Sequence, residues 1–497
     1  MLYIKIPILY IMNKNTFLIF PHQLYHNIKD LNPKDNIYII EEPRYFTDFK
    51  FHKLKLVYHR ASMKKYYDQL KKKFPKNLHY IEYHKTDDFY KELKKEKNSV
   101  SIINPGDFKL QKKLEKIFGK KLVMLENINF LVKIEELTSI KDLIYRNKKY
   151  SHEEFYKYQR KKLDIMMKDN KPEGGKWSYD KMNRLALPKN LKVPAINSIS
   201  KNKYIKEAII YVNKHFPSNY GETNFFYPID HKSALKWLHQ FLEERLKNFG
   251  PYEDAVSSND PFIYHSVLSP MMNIGIITDT EVVTISYTYY NDNNIPIASF
   301  EGFIRQVIGW RNYVYTLYML EGENMRGSNN MHHNNMLNEK FWTGSTGILP
   351  VDNIISKIIK YSYCHHIERL MYLGNFMLLC MVHPDEVYRI FMEWTIDSYD
   401  WVMVPNVYGM SQAATDIMMT RPYFSSSNYI VKMSTYKKDG KWDRIWDCLY
   451  YNFIDKNYDM IRHNYATAQQ AIHWDNKSDT DKKEIKKVAK EFIKELL

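Results

Sequence analysis

Two adjacent histidines, His365 and His366, stand in the otherwise apolar run IISKIIKYSYCHHIERLM. Further along the chain follows a cluster of acidic, aromatic and amide side chains: Asp397, Tyr399, Asp400, Trp401 and Asn406. A globular core does not require so many polar groups, because each buried polar group must find a partner. The two stretches together predict the floor of a pocket for a cofactor and a substrate.

The histidine pair has two interpretations. If the run is one helix, His366 shares a face with Ile355 and Ile359 and points into packing, whereas His365 aligns with Arg369. One reading is a structural core histidine, and the other is a proton donor near neutral pH. Adjacent positions on a helix diverge by about 100°, so we expect no metal ion shared by the pair.

The segment HSVLSP (265–270) places Ser266 and Ser269 around Leu268 near a predicted helix start. Hydroxyls and free backbone N–H groups suit a phosphate. On these residues alone, an ordinary helix cap is the simpler reading.

The segment EGFIRQVIGWR (301–311) carries Gln306 and Arg311 in a mostly apolar predicted helix. An arginine in such a setting needs a carboxylate or a phosphate. Asp397 and Asp400 are candidate partners, and a purely structural ion pair is the alternative. Trp342 and Trp394 lie near the histidine helix, where an aromatic group ordinarily belongs to the core.

Charge is distributed unevenly along the 497 residues, whose formal net charge is +16. Residues 1–150 carry 31 Lys and Arg against 17 Asp and Glu, whereas residues 251–400 carry 8 against 17. Lysine is absent from 248 to 339, which predicts a region that is interior or lines a cavity. The basic excess elsewhere permits a polyanionic partner but does not require one.

The three cysteines form no CxxC pair, which fits a reducing compartment and argues against a disulfide framework. The apolar start LYIKIPILYIM is too short to span a bilayer and lacks a cleavage site. We therefore expect a soluble, intracellular, monomeric protein of the cytoplasm, nucleoid or nucleus with no membrane partner.

The predicted fold is an α/β doubly wound domain followed by an all-α domain. Short β-rich runs alternate with amphipathic helices between residues 16 and 127, which indicates parallel strands joined by crossovers. No GxGxxG or Walker loop follows any strand. We predict an N-terminal extension at 1–13, the α/β domain at 14–135, a helix and extended linker at 136–202 and a helical domain at 203–497.

Five segments resemble the photolyase-related branch of the cryptochrome/photolyase family, the branch of prokaryotic-type (6-4) photolyases. They are GGKWSYD (174–180), HSVLSP (265–270), EGFIRQVIGWR (301–311), HHIERLMYLGNF (365–376) and DSYDWVMVPNVYGMSQ (397–412). The resemblance runs from about 14 to 460. It implies an α/β antenna domain, a long linker and a helical domain that holds FAD.

The resemblance also implies a function: light-driven electron transfer from reduced FAD to a pyrimidine lesion flipped out of UV-damaged DNA. Histidines His365 and His366 match the pair at the lesion pocket, where one donates a proton. The residues that the resemblance assigns to FAD binding are Ser266, Leu268, Ser269, Gln306, Arg311, Asp397, Asp400, Trp401 and Asn406, with Arg311 paired to an aspartate of 397–400. Trp342 and Trp394 are the candidate electron-transfer residues.

Three positions depart from the family pattern. The turn at the position of a ribityllumazine-type antenna reads Pro21-His22-Gln23-Leu24 instead of a Gly-Asp-Gln-Leu type. Only Cys448 lies in the region where many members hold a four-cysteine iron–sulfur cluster, so we predict no cluster. Ile390 stands where an aromatic residue normally relays electrons to FAD.

Two other functions stay open on the sequence. A cryptochrome-like blue-light sensor would bind FAD without repairing DNA, and the change at Ile390 and the missing cysteines favour it. A degenerate homologue would bind DNA as a scaffold and hold no flavin.

Overall fold

The computed structural model describes residues 15–188, 192–196, 202–419 and 421–496. The predicted N-terminal extension lies outside the described residues. Within the described ranges, every helix is too short or too polar to cross a membrane.

Five parallel strands form the N-terminal sheet in the order β3-β2-β1-β4-β5. The strands are β1 (Thr16–Ile19), β2 (Asn36–Ile40), β3 (Leu78–Ile81), β4 (Val100–Ile103) and β5 (Leu122–Leu125). All five lie between residues 16 and 127, where the β-rich runs were found, so the doubly wound α/β prediction is confirmed. Strand β1 is buried along its whole length, as a central strand covered by helices on both faces must be.

Three crossover helices complete this unit: α1 (Lys53–Lys71), α2 (Thr86–Lys95) and α3 (Phe108–Phe118). The residues at both ends of helix α3 show how the local sequence sets its limits. Asp107 accepts a hydrogen bond from the N–H of Leu110 at the first turn, and Gly119 ends the helix with a φ of 53°.

The remaining described chain is helical apart from two short hairpins, Tyr145–Arg146 with Lys149–Tyr150 and Met167–Lys168 with Lys171–Pro172. Its first helices are α4 (Leu137–Ile144), α5 (His152–Leu163), α6 (Lys203–His215), α7 (His231–Glu244), α8 (Leu246–Phe249), α9 (Ser269–Asn273), α10 (Asp279–Asp292) and α11 (Ile297–Ile304). The later ones are α12 (Asn312–Met325), α13 (Glu339–Thr343), α14 (Leu349–Tyr361), α15 (Asn375–Leu379), α16 (Pro384–Trp394), α17 (Asp400–Val404), α18 (Ser427–Lys432), α19 (Trp442–Lys456), α20 (Tyr458–His463), α21 (Ala468–Asp475) and α22 (Asp479–Leu496).

Three segments have the wider turns of a π-helix: Arg305–Arg311, Glu368–Gly374 and Pro405–Ser411. All three contribute side chains to one large cavity. Such turns are rare and concentrate at functional sites, because they re-aim side chains within a helix. Apolar periodicity alone does not distinguish them from ordinary helix.

The run predicted as one helix through His365 and His366 is interrupted. Helix α14 ends at Tyr361, and Ser362 adopts a φ of 53°, so the chain turns before helical structure resumes at His366. Glu368 lies three residues after His365 and accepts a hydrogen bond from its backbone N–H at 3.2 Å, as in a capping box. Lys357 of α14 donates to the same carboxylate at 2.6 Å and to the carbonyl of Ser257 at 2.6 Å.

We expect Lys357→Met to destabilise the protein by about 3–5 kcal/mol, because it leaves the buried Glu368 carboxylate without its cation. Denaturant unfolding measures this loss. Lys91→Met, which removes an exposed partner of Asp88, is the control and should leave the free energy of unfolding unchanged. Equal effects of the two substitutions would show that the Lys357–Glu368 ion pair does not hold α14 against the segment Glu368–Gly374.

Candidate functional site

A cavity of about 630 Å³ opens among the helices. This volume lies within the range of small-molecule and cofactor sites. Nine sequence-predicted site residues line it: Ser266, Leu268, Ser269, Gln306, Arg311, His366, Asp397, Trp401 and Asn406. Many of its walls come from the stretch without lysine, which was predicted to be interior or to line a cavity.

The structure reverses the expected orientation of the two histidines. His365 is buried, whereas the side chain of His366 is 46% exposed and lines the cavity. The expectation that His366 points into packing was wrong because it assumed a continuous helix through Ser362. The Nε2 atom of His366 lies 3.4 Å from Oδ1 of Asp254.

A third histidine, His265, belongs to the same cluster. Its ring is parallel to that of His365, with centroids 4.4 Å apart, and edge-on to that of His366 at 5.5 Å. Burial is the main reason that the pKa of His265 falls to about 4, and burial also takes the pKa of His365 well below its ordinary value. The sequence contained His265 in the HSVLSP motif, but only the hydroxyls of that motif were interpreted.

The three histidines place nitrogen atoms within 4.8 Å of one another. A metal ion must lie close to the plane of each imidazole that binds it, where the nitrogen lone pair points. The rings of His265 and His365 are stacked 4.4 Å apart and inclined by only 19°, so their planes meet only far beyond a metal–nitrogen bond length of about 2 Å. As the rings stand, the cluster is a poor chelator, and the absence of a metal site stays a prediction.

Asp397 anchors the polar wall of the cavity. Nη2 of Arg369 lies 2.8 Å from its Oδ1, and the hydroxyl of Ser269 donates to its Oδ2 at 2.5 Å. The side-chain amide of Asn273 donates to the Asp397 backbone carbonyl at 2.7 Å. The wall therefore joins three separate chain segments at one carboxylate.

Arg311 does not pair with the 397–400 cluster, so that expectation was wrong. Its Nε atom donates to Asp279 at 2.6 Å, and its guanidinium lies over the rings of Phe130 and Trp401. Asp279 is buried at the start of α10, and its proximity to Arg311 was not visible in the sequence spacing.

Asp400 lies behind the cavity wall, in a buried network between the sheet and the helices. Arg44 from the sheet domain approaches it at 3.3 Å, Tyr318 donates to it at 2.5 Å, and Arg326 and Tyr388 also contact it. Burial alone would raise the pKa of Asp400, but the Arg326 and Arg44 guanidiniums lower it. Its contacts are those of a structural anion, unlike the cofactor ligand that was expected.

One unpaired donor in the cavity supports the binding of FAD, the cofactor that the sequence resemblance implies. The Nη2 atom of Arg311 is buried and has no hydrogen-bond partner, although Arg311 lines the cavity. A buried guanidinium donor of this kind requires an acceptor. The neighbouring hydroxyls of Ser266 and Ser269 add polar groups that suit a phosphate-bearing ligand, and Trp401 and Met403 supply apolar wall.

Trp394 and Trp342 form an aromatic group next to the cavity wall. Trp394 is buried, its ring meets that of Trp342 edge-on at 5.1 Å, and Trp342 is partly exposed beneath the Arg389 guanidinium. Phe391, one turn before Trp394 on α16, lines the cavity, whereas Ile390 is buried elsewhere in the core.

The carboxyl ends of the strands use most of their polar groups within the chain. Glu41 accepts from Arg60, Tyr80 and Tyr211, and Asp107 accepts from Arg44. His22 donates from Nε2 to the carbonyl of Pro105 at 2.8 Å, and its ring packs against Tyr45 and Tyr399. These contacts join the strand ends to one another and to the helical part of the chain.

The three cysteines are buried, and three thiolates cannot supply the four ligands of an iron–sulfur cluster. Burial raises the pKa of the Cys364 thiol to about 12, as expected for a packed, unreactive side chain.

Comparison with known proteins places the chain among photolyases. Residues 17–227 match the family described as deoxyribodipyrimidine photo-lyase-related protein. The chain is 32% identical over 411 residues to a (6-4) photolyase of Agrobacterium fabrum, a match that covers 80% of each chain. An uncharacterised protein of Acanthamoeba polyphaga mimivirus is 54% identical over 93 residues, 18% of this chain and 76% of that one. A class III photolyase from Agrobacterium tumefaciens superposes with a TM-score of 0.55 over 98% of each chain, at 15% identity, which supports the fold.

Behind Asp397, a buried lysine from the sheet domain supports the wall. The Nζ atom of Lys55 donates to the carbonyls of Ser398 at 2.5 Å and Met392 at 3.2 Å. Burial lowers the pKa of Lys55 from 10.5 to about 7.

Between these two pKa values the unfolded chain binds more protons at Lys55 than the folded chain, so stability rises with pH across that window. We expect Lys55→Met to reduce the slope of unfolding free energy against pH by up to about 1.4 kcal/mol per pH unit. Denaturant unfolding at several pH values between those two pKa values measures the slope. Lys72→Met, at an exposed position directly after α1, is the control, and identical slopes in Lys55→Met and wild type would contradict the assignment.

Proposed function

Because the chain belongs to the photolyase-related branch of the cryptochrome/photolyase family, we propose that it repairs UV pyrimidine photoproducts in DNA with FAD and light. The (6-4) photoproduct is the favoured lesion. The observation that carries the proposal is His366, which faces the cavity beside a carboxylate while its two histidine neighbours are buried. Reduced FAD, when bound and illuminated, supplies the electron to the lesion.

The polar wall of the cavity binds and orients the cofactor. The hydroxyl of Ser266 and the free Nη2 of Arg311 offer donors for phosphate oxygens. The hydroxyl of Ser269 donates to Asp397 and fixes that carboxylate in the wall. Trp401 and Asn406 also line the cavity. Trp401 offers an apolar surface and Asn406 a side-chain amide, and both suit the flavin ring system. Arg369, held by Asp397, places a fixed positive charge in the wall.

On the substrate side of the cavity, His366 is the proposed proton donor to the lesion. His366 donates from Nε2 when it pairs with Asp254, and it is the most exposed of the three histidines, two of which, His265 and His366, line the cavity. Gln306 also lines this cavity, and its Nε2 donates to Glu253 at 2.6 Å, which leaves its carbonyl oxygen free to accept from a base.

DNA binding by phosphate contacts suits the net charge of +16. Such binding weakens as salt is added, because counterions compete for the phosphates.

We do not propose an antenna chromophore, because the strand-end carboxylates are already paired within the chain. For electron supply, we propose a path through Trp342 and Trp394, whose rings meet at 5.1 Å, toward the cavity that Phe391 lines. A phenylalanine ring is difficult to oxidise, so Phe391 is a poor electron relay. We therefore assign the relay to Trp394.

The repair assay tests the function directly. We expect protein with chemically pre-reduced FAD to remove (6-4) photoproducts from DNA under blue light, and His366→Asn to reduce the yield by about a hundredfold while flavin stays bound. His239→Asn, at an exposed position on α7, is the matched control and should repair normally. Absence of photoproduct loss in the wild type, together with a light-dependent change of state, would instead indicate a blue-light sensor.

The electron path is tested separately from repair. We expect Trp394→Phe to lose most of the photoreduction of oxidised FAD by an added thiol, because the buried relay ring is then hard to oxidise. Repair by chemically pre-reduced protein should stay at the wild-type yield. Flavin absorbance followed under blue light measures the first quantity, and unchanged photoreduction in the variant would exclude Trp394 as the relay.

A further inference from the structure

His265 lies where the loop after α8 meets the histidine segment. Its Nε2 atom lies 2.9 Å from the carbonyl oxygen of Glu253, and its Nδ1 atom lies 3.1 Å from the carbonyl oxygen of Phe262. A neutral imidazole donates from one nitrogen only. Either tautomer keeps the ring in the same place, because each donates to one of two fixed backbone acceptors.

The contact with Glu253 also fixes a neighbouring carboxylate. The Glu253 carbonyl belongs to the peptide group that joins Glu253 to Asp254. In the tautomer that carries its proton on Nε2, His265 donates to this peptide and holds the backbone that carries the Asp254 side chain. Asp254 is the partner of His366, with 3.4 Å between its Oδ1 and the histidine Nε2.

The other face of His265 supports His366 itself. The His365 ring stacks on His265 at 4.4 Å, and the His366 ring stands edge-on to it at 77°. Both members of the Asp254–His366 pair thus rest on one side chain. His366 is 46% exposed, so it has little other packing to fix its direction.

We propose that His265 is the positioning residue of this site: it sets the distance and angle between Asp254 and His366, and so holds the proton donor toward the substrate. This inference deepens the proposed function and rests on it for the role of His366.

Charged groups surround the His265, Asp254 and His366 cluster, so the position of each side chain affects its hydrogen bonds. Burial lowers the pKa of both His265 and His365, which keeps those two rings neutral near neutral pH. Burial alone would raise the pKa of the Asp254 carboxyl, but the hydrogen bond and charge of His366, with Arg184 and Arg305, lower it. The other charged groups that face the cluster are Glu253, Lys357, Glu368 and Arg369. A small displacement of Asp254 therefore changes the hydrogen bond that directs the His366 ring.

A double-mutant cycle tests the coupling in the full-length flavoprotein. We expect His265→Phe to lower the repair yield at saturating DNA roughly tenfold to a hundredfold, with DNA affinity and flavin spectrum unchanged. Combination with Asp254→Asn should add little to the larger single effect, because both substitutions break the same pair. His52→Phe removes a buried histidine with comparable backbone contacts, to the N–H of Leu54 and the carbonyl of Ile359, and is the control for general destabilisation. A wild-type yield in His265→Phe, or fully additive losses, overturns the proposal.

A second measurement does not depend on repair. Diethyl pyrocarbonate modifies accessible neutral imidazoles, and peptide mass spectrometry reports the rate at His366 relative to the exposed His239 in the same molecule. We expect this relative rate to rise in both His265→Phe and Asp254→Asn, because His366 is then released from its carboxylate. An unchanged rate in either variant overturns the positioning role. If the wild type lacks repair activity, the proposed function fails, and this reaction still decides the role of His265.

Discussion

The segment from Asp397 to Trp401 is held on two sides, and the cavity depends on that double attachment. On the cavity side, Asp397 pairs with Arg369 and accepts from Ser269. Three residues later, Asp400 faces the sheet domain, accepts from Tyr318 and lies 3.3 Å from the Arg44 guanidinium. Two carboxylates in one short segment thus join the helical wall to the α/β domain. Each would be costly to bury without its cation.

The α/β domain consequently acts as a support for the cavity. Its strand ends, where open sheets of this type often bind ligands, are filled by Arg44, His22 and Tyr45 in contact with the 397–401 segment. Lys55 completes the attachment by donating to the backbone of Ser398. A position that is a ligand site in many doubly wound sheets is here used to join two domains.

The proposed proton chemistry rests on the unequal burial of three histidines. Stacked rings at His265 and His365 are removed from water, whereas His366 meets both solvent and Asp254. Burial disfavours the charged imidazolium and lowers the pKa of both His265 and His365. Three side chains of one type therefore take different roles because of their surroundings.

The sequence by itself determined the strands, the crossover helices and nine of the residues that line the cavity. Strand boundaries follow from short apolar runs, and Ser266, Gln306 and Asp397 were identified from motifs that remain contiguous in the chain. Only the tertiary structure decided that His366 and not His365 faces the cavity, because a left-handed turn at Ser362 breaks the helix. It also decided that Arg311 pairs with Asp279 and that His265 packs against His365 and His366. Helical periodicity describes neighbours within one element, and these contacts join elements whose relative placement depends on packing across the whole domain.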